Sequence, residues 1–524
     1  MHTDPMERAR NAGNTLHPFY GGLRLRHHKR ISCTLPLAHA RLPTRLFVPL
    51  QQHAGPPAEA LVVPGQKVLK GEPIGRHEQP SRGWVHAPTS GTVTALARRP
   101  VTNPSGDDGP CVLLRPDRLD TWTDLHPIDD WETATPERLR RAIGEAGIVG
   151  LGGATFQTSH KVADARQQTV HTVILNGAEC EPYISCDEIL MRMQPERVIA
   201  GARVLQRATG AERTVIAIED QMGAVEGALR DALSRSGATE AGEVIDIVKV
   251  TTLYPEGGER QLIQVLTGLE VPRGGRPTDI GLLCQNVGTA AAAADAVIEG
   301  KPLIERIVTV TGGGVRTPRN LIALLGTPVA DLIDQSGGYT AQAARLVIGG
   351  PLMGYAVRSD DNPVVKGVNC VLVLTGDDVR PEQPEMPCIR CGECARVCPA
   401  RLLPQQLHAQ VCHDLLDEAA DFGLDACIEC GCCDYVCPSH IPLSEWFRFG
   451  KSEWRLLQKE RARADAARQR FEARESRLAR IRDERQRRMD EKKQALRDDA
   501  RRKRRIADAV ERVKSRQTAP GGDS

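Results

Sequence analysis

At 524 residues the chain exceeds what one hydrophobic core normally supports, and three or four domains are expected. Apolar residues make up 40% and charged residues 26%, as in soluble globular proteins, while the 3% aromatic content argues against base-stacking platforms, so no nucleic-acid partner is expected. The formal net charge of +2 hides a split, because residues 451–524 carry 25 basic and 14 acidic residues and the basic character is confined to that segment.

Met1 to Leu16 contains Asp4, Glu7, Arg8 and Arg10 and no apolar stretch, so no secretory signal is expected and the cytoplasm is the expected compartment. The longest apolar run, Leu282 to Val297, is interrupted by Gln285, Asn286, Gly288 and Asp295, short of the roughly 20 residues of a membrane span. Residues 61–94 alternate short strand-like segments with turn glycines and resemble the barrel-sandwich fold of biotinyl and lipoyl domains. Such carriers need a lysine at a hairpin tip. None lies between Ile74 and Val85, so residues 1–120 are expected to form a docking or packing module.

A helical-looking segment from Trp131 leads into AGIVGLGGATFQTSHK, where Gly147, Gly150, Gly152 and Gly153 let backbone amides approach a phosphate or flavin ring. Alone this is a weak motif. Three further segments add to it: TVILNGAECEPYISCDE, TLYPEGGERQLI and CQNVGTAAAAADAV, whose strand ends deliver Asn, Glu and Gly as nucleotide sites in open α/β sheets do. An α/β domain over 121–300 is expected. Residues 301–376 place the strands IVTV and RLVI around the amphipathic NLIALLG and VADLID, which fits a small β-grasp domain; Thr311 to Gly314 lacks a following Lys-Ser/Thr and reads as a hairpin turn.

Sixteen cysteines in a large chain of this type point to metal rather than to disulfides, since ten fall between Cys388 and Cys437. The pattern C-x2-C-x2-C-x3-C-P occurs twice, 39 residues apart, within 377–450. Three thiolates on one tight loop suit a [4Fe–4S] cubane, whose fourth ligand comes from elsewhere. In two-cluster ferredoxins the last Cys of each run serves the other cluster, which assigns Cys388, Cys391, Cys394 and Cys437 to one cluster and Cys427, Cys430, Cys433 and Cys398 to the second. Zinc is the rival reading, but a zinc site closes with four ligands and leaves the third Cys of each run unexplained. Cys412 and Cys432 are read as packing residues, and Pro399 and Pro438 as turn-breakers. Beyond Ile441 the chain is rich in helix formers and i,i+4 charge pairs, so residues 451–524 are expected to form a long exposed helix whose apolar positions are too sparse for a sustained heptad. The stretch RRKRR at Arg501 to Arg505 is suited to acidic headgroups or partner proteins.

In order, GLGGATFQTSHK, NGAECEPY, YPEGGERQL and QNVGTA resemble the flavin- and NADH-binding subunit of respiratory complex I. Together with FYGGLRLRHHKR at Phe19 to Arg30 and the double cysteine run, the arrangement over about residues 15–450 resembles the RnfC family, the C subunits of Rnf-type ion-translocating oxidoreductases. The resemblance implies FMN at Gly150, Gly152, Gly153, Phe156 and Lys161, with Asn176, Gln285 and Asn286 beside it. It places Asn176, Glu179 and Glu181 at the second loop's polar positions, with Glu181 a candidate for hydrogen-bonding NADH, and Tyr254, Gly257 and Glu259 at the third loop's cofactor-binding positions. Ala178 and Gly258 depart from the complex I pattern, which has acidic residues there. The implied whole is a multidomain α/β and α+β protein with a barrel-sandwich module, a flavin-subunit-like α/β domain, a β-grasp domain, a two-cluster ferredoxin-like domain and a charged helix. It would be a peripheral subunit at the cytoplasmic face of a bacterial inner membrane, passing electrons between NADH, FMN, the clusters and membrane partners. Two other readings are a cluster-carrying scaffold without nucleotide and a diaphorase subunit of a soluble NAD-linked oxidoreductase.

Overall fold

The computed structural model describes residues 5–53, 55–77, 84–167, 169–238, 242–379 and 383–517. Residues 1–448 form one compact unit and residues 449–524 a second. The tip of the barrel-sandwich hairpin, where a carrier would hold its lysine, lies largely outside the described residues.

The N-terminal module pairs two small antiparallel sheets. One holds Leu46–Pro49, Lys67–Val68, Gly91–Pro100 and Asp108–Pro116; the other holds Glu59–Ala60, Pro73–Arg76 and Trp84–His86. Inward side chains Leu46, Val48, Ile74, Val85, Val93, Val112 and Leu114 close its core. Residues before it belong to other modules. Ala9 and Ala12 enter the core of the α/β domain, and Ala38–His39 adds an edge strand beside Arg319–Leu324.

The α/β domain is built on a parallel four-stranded sheet in the spatial order Val244–Val250, Arg213–Glu219, Thr172–Gly177, Leu282–Asn286. Thr172–Gly177 is buried over almost its whole length, as a parallel strand covered on both faces must be. The first three strands add in one direction, and the fourth returns to the opposite side of Thr172–Gly177. The order therefore reverses between Asn176 and Asn286, the place where open α/β sheets leave a ligand crevice. Helices Pro195–Thr209 and Val287–Ile298 cover one face, and their close approach needs Gly201, where a Cβ would fall on the Ala290 carbonyl.

The third module is a six-stranded mixed sheet carrying the helix Val329–Gln335. NLIALLG, read as an amphipathic segment, is a strand (Arg319–Leu324) antiparallel to Glu305–Thr311, and the glycines from Gly312 form the turn between them. Its Asn320 and Ala323 are as buried as its apolar residues, so the alternation that would mark a strand is missing.

The cysteine segment folds as two copies of one local design. Arg390 and Glu429, Gly392 and Gly431, and Arg401 and His440 occupy matching places after their cysteines, and all have positive φ. Short helices Glu393–Arg396 and Cys432–Val436 follow, and Leu407, Val411, Leu424, Ile441, Leu443 and Phe447 fill the space beneath. A single helix, Leu443–Gln517, makes up nearly all of the second unit, with Phe471, Met489, Leu496 and Ile506 exposed. Among the described residues, no helix is long and apolar enough to cross a membrane.

Candidate functional site

The crevice at the sheet's switch point is assembled from four loops. The glycine loop runs between the helix Pro136–Glu145, capped by Thr135, and the helix Thr158–Gln167. It is pinched at its base by the Gly150 N–H, which donates to the Phe156 carbonyl at 2.7 Å, and tied to the sheet by the Leu151 N–H, which donates to Thr289 Oγ1 at 2.9 Å. Gly152 lies against Asn286, and Gly153, at φ +106°, faces open space. Phe156 is 44% exposed.

Side chains from the strand ends complete the crevice. Asn176 Nδ2 donates to the Gly257 carbonyl at 2.7 Å, fixing the third loop to the first strand. Asn286 caps the helix Val287–Ile298 by accepting from the Gly288 N–H at 2.8 Å, while its Nδ2 donates to Asp187 at 2.6 Å. Lys161 reaches Glu259 at 2.9 Å and the Cys284 carbonyl at 3.4 Å. Gln285 is 3% exposed, and its Nε2 has no hydrogen-bond partner among the described residues. A buried unpaired amide calls for a partner, and a flavin's row of ring carbonyls and nitrogens would supply one. The unpaired donor and the open glycine fit a polar ring system that carries acceptor atoms. At Gly258, where the complex I pattern has a glutamate, a Cβ would press on the Gln261 side chain.

Glu179, Glu181 and Tyr254, expected among the cofactor-binding residues, have polar atoms engaged within the chain. Glu179 accepts from the Asp187 and Glu188 amides at 3.0 and 3.4 Å, capping the helix Cys186–Met193. Lys29 lies beneath it, with Nζ 3.5 Å from Glu179 and 3.6 Å from Glu219, all three buried. Burial raises the Glu179 pKa, and Lys29 only partly offsets this. Glu181 accepts from the Leu352 and Met353 amides at 2.7 and 3.0 Å, and burial raises its pKa too. The Tyr254 hydroxyl donates to the Cys430 carbonyl at 2.6 Å. Three groups escaped sequence reasoning: the buried Lys29, the half-buried Asp187, and the buried Arg306, whose guanidinium donates to the Lys366 and Leu151 carbonyls. Lys29 lies inside the FYGG segment, but nothing in that segment marks it as buried.

In the cysteine module, one apolar cavity is lined by Cys427, Cys430 and Cys433 of the second run together with Cys398 of the first. The Leu402 amide donates to Cys398 Sγ and the Glu429 amide to Cys427 Sγ, each at 3.4 Å. Four thiols around one cavity, with amides aimed at sulfur, suit a cubane. Cys432 shares the cavity and hydrogen-bonds to Cys430, whose thiol is shifted downward by that bond. Cys394 approaches Cys391 and Cys388, which are exposed. Cys412, expected among packing residues, is exposed at the end of the helix Pro404–Cys412, 3.3 Å from His408 Nε2.

The Nuo51 FMN-binding domain family matches residues 143–295, the RnfC barrel sandwich hybrid domain 17–119 and the SLBB domain 307–356. A Pseudomonas aeruginosa protein, named as the C subunit of an ion-translocating oxidoreductase complex, is 45% identical over 467 residues, which cover 89% of this chain and 59% of that protein. A Haemophilus influenzae protein of the same name is 42% identical over 471 residues, covering 90% of this chain and 71% of the other. The chain thus spans about 59% of the first relative's length. A solved NAD+-reducing [NiFe]-hydrogenase in the H2-reduced state shares 18% identity over 62% of both chains, with a TM-score of 0.45.

Proposed function

The chain belongs to the RnfC family, the C subunits of ion-translocating oxidoreductase complexes, and from that premise we propose that it passes electrons between NADH/NAD+, FMN and two [4Fe–4S] clusters, and on to membrane partners. The cavity shared by Cys398, Cys427, Cys430 and Cys433 carries this reading, because it joins the last cysteine of one run to the first three of the other. The second set would be Cys388, Cys391, Cys394 and Cys437. Gly150, Gly152, Gly153, Phe156, Lys161, Asn176, Gly257, Glu259, Gln285 and Asn286 would hold FMN and receive the nucleotide.

FMN supplies the exchange between two-electron hydride chemistry and one-electron transfer. The chain's residues prepare the place for it. The glycine loop offers amides at close range, Gln285 Nε2 a buried donor, and Lys161 a cation for phosphate or ring oxygens once it turns from Glu259. Asn176 and Asn286 lock the two loops between which the ring would lie.

With no apolar spanning helix among the described residues, ion translocation would belong to other subunits of a membrane complex, with this chain peripheral at the cytoplasmic face of a bacterial inner membrane. Cofactor analysis of anaerobically purified protein tests the reading. Eight irons and one FMN per chain are expected, and Cys398→Ser should remove chiefly the second-run cluster. Zinc in place of iron, or loss of only the first-run cluster in that variant, would count against it.

A further inference from the structure

The glycine loop is held from outside its own domain. Lys366, on the segment that precedes the strand Cys370–Thr375 of the third module, is 2% exposed. Its Nζ donates to the Gly147 carbonyl at 2.7 Å and to the Trp84 carbonyl of the N-terminal module at 3.3 Å. Its backbone N–H donates to Gln52 Oε1 at 3.3 Å, and its carbonyl accepts from Arg306. One residue thus joins three modules where the loop begins. The fit is close, since a Cβ at Gly147 would fall on the Trp84 carbonyl and on Lys366 Nζ, and one at Gly367 on the Thr155 side chain.

Among the described residues no carboxylate pairs with Lys366, and burial lowers its pKa to about 7. A buried ammonium without a counter-ion is costly, so its hydrogen bonds to the two carbonyls are what offsets that cost. Arg306, from the strand Glu305–Thr311 of the same module, acts further along the loop, reaching the Leu151 carbonyl at 3.4 Å. The Leu151–Gly152 peptide is trans, so a carbonyl drawn to Arg306 sets the Gly152 N–H on the opposite edge. Among the described residues that N–H has no acceptor, and Gly152 lies against Asn286 of the crevice. With Gln285 Nε2 it makes a second donor left for a ligand.

We propose that Lys366 and Arg306, two buried cations of the third module, are positioning residues of the flavin site: they hold the glycine loop by its Gly147 and Leu151 carbonyls and so leave the Gly152 N–H for the ligand. This rests on the flavin reading above. Both residues act through the loop. The affinity of a site built on the α/β domain is then set in part by the module packed beneath it.

The test uses the full chain. Lys366→Met keeps the length of the side chain and deletes its donors. Hydrogen–deuterium exchange without FMN should quicken at the bonded amides of Ile148, Gly150 and Leu151, while the strands Thr172–Gly177 and Leu282–Asn286 keep parent rates. The FMN dissociation constant, read from quenching of flavin fluorescence, should rise about tenfold, equivalent to one lost hydrogen bond. The visible circular dichroism of bound FMN should change as well. Leu229→Ala, which opens the α/β core at the helix Gly223–Arg235, should lower the melting temperature and leave both flavin readouts at parent values. If Lys366→Met does not fold, Arg306→Lys, which keeps the buried cation but shortens its reach to the Leu151 carbonyl, is expected to weaken FMN in the same way. Parent-like loop exchange with parent-like FMN affinity would overturn the proposal, as would equal weakening in Leu229→Ala. A parent chain that takes up no FMN would instead refute the flavin reading, and exchange in the FMN-free loop would still show whether Lys366 holds it.

Discussion

Replacing Lys29 with methionine preserves the side chain's length and deletes its charge. Nζ stands 3.5 Å from Glu179 and 3.6 Å from Glu219, with side-chain exposures of 6%, 5% and 1%. It also donates to the Glu179 carbonyl. Removing one partner of a buried ionic group strands the others without solvent, at a cost of about 3–5 kcal/mol. For a unit spanning residues 1–448, an unfolding entropy of about 2.1 cal/mol/K per residue makes each kcal/mol worth about 1 °C, so calorimetry should show the main transition falling by about 3–5 °C. The pH dependence follows from the signs. Burial works to lower the Lys29 pKa, but Glu179 and Glu219 outweigh it and hold it above the ordinary lysine value. Lys29 therefore stays charged throughout pH 6 to 9, and any change in its contribution over that range comes from its partner Glu179, whose pKa is pushed up to about 7. In Lys29→Met, Glu179 loses its cation, its already raised pKa climbs further, and protonation at low pH relieves the stranded charge. The deficit should be larger at pH 8.5 than at pH 6. A fall below about 2 °C, or one equal at both pH values, would refute the reasoning.

Two glycines separate structure from ligand. At Gly257 a Cβ would fall on the Ala178 carbonyl, so Gly257→Ala should cost about 1–3 kcal/mol even without cofactor, read as a lower melting temperature of apoprotein. At Gly153 a Cβ meets nothing within 4 Å, so Gly153→Ala should cost about 1 kcal/mol through its positive φ yet lower FMN affinity well beyond that, measured by flavin fluorescence. Glu256 is pushed up to about 8, first by burial and then by Glu219 and Asp220. The folded state therefore binds the extra proton between the ordinary value of 4.5 and 8, and stability should fall as pH rises through that window by at most about 1.4 kcal/mol per unit. Glu256→Gln should flatten that slope in melting curves taken from pH 5 to 8.5.

The linear patterns of the chain carried a good deal of this structure. The double cysteine run predicted two repeated tight loops, and the matched positive φ at Arg390 and Glu429 shows one backbone design used twice. The run of helix formers beyond Ile441 needed no tertiary partner to be read as a helix. Contacts distant in sequence were less accessible. Glu181 and Tyr254 sit in segments that match nucleotide loops, yet their side chains turn toward Leu352 and Cys430, about 170 residues away. Lys29 and Arg306 are charged residues whose burial is created by modules folding onto one another, and no local periodicity encodes it. NLIALLG misled because a strand buried on both faces loses the alternation that identifies strands.

If the crevice at Asn176 and Asn286 feeds electrons to the cysteine module, NADH must reduce the clusters through it. Anaerobic titration of the iron-loaded, FMN-loaded chain with NADH, followed by EPR, tests this most directly. Signals from two reduced [4Fe–4S] clusters per chain are predicted, both lost to NADH in a variant that no longer retains FMN. Clusters that dithionite reduces and NADH leaves oxidised would contradict it.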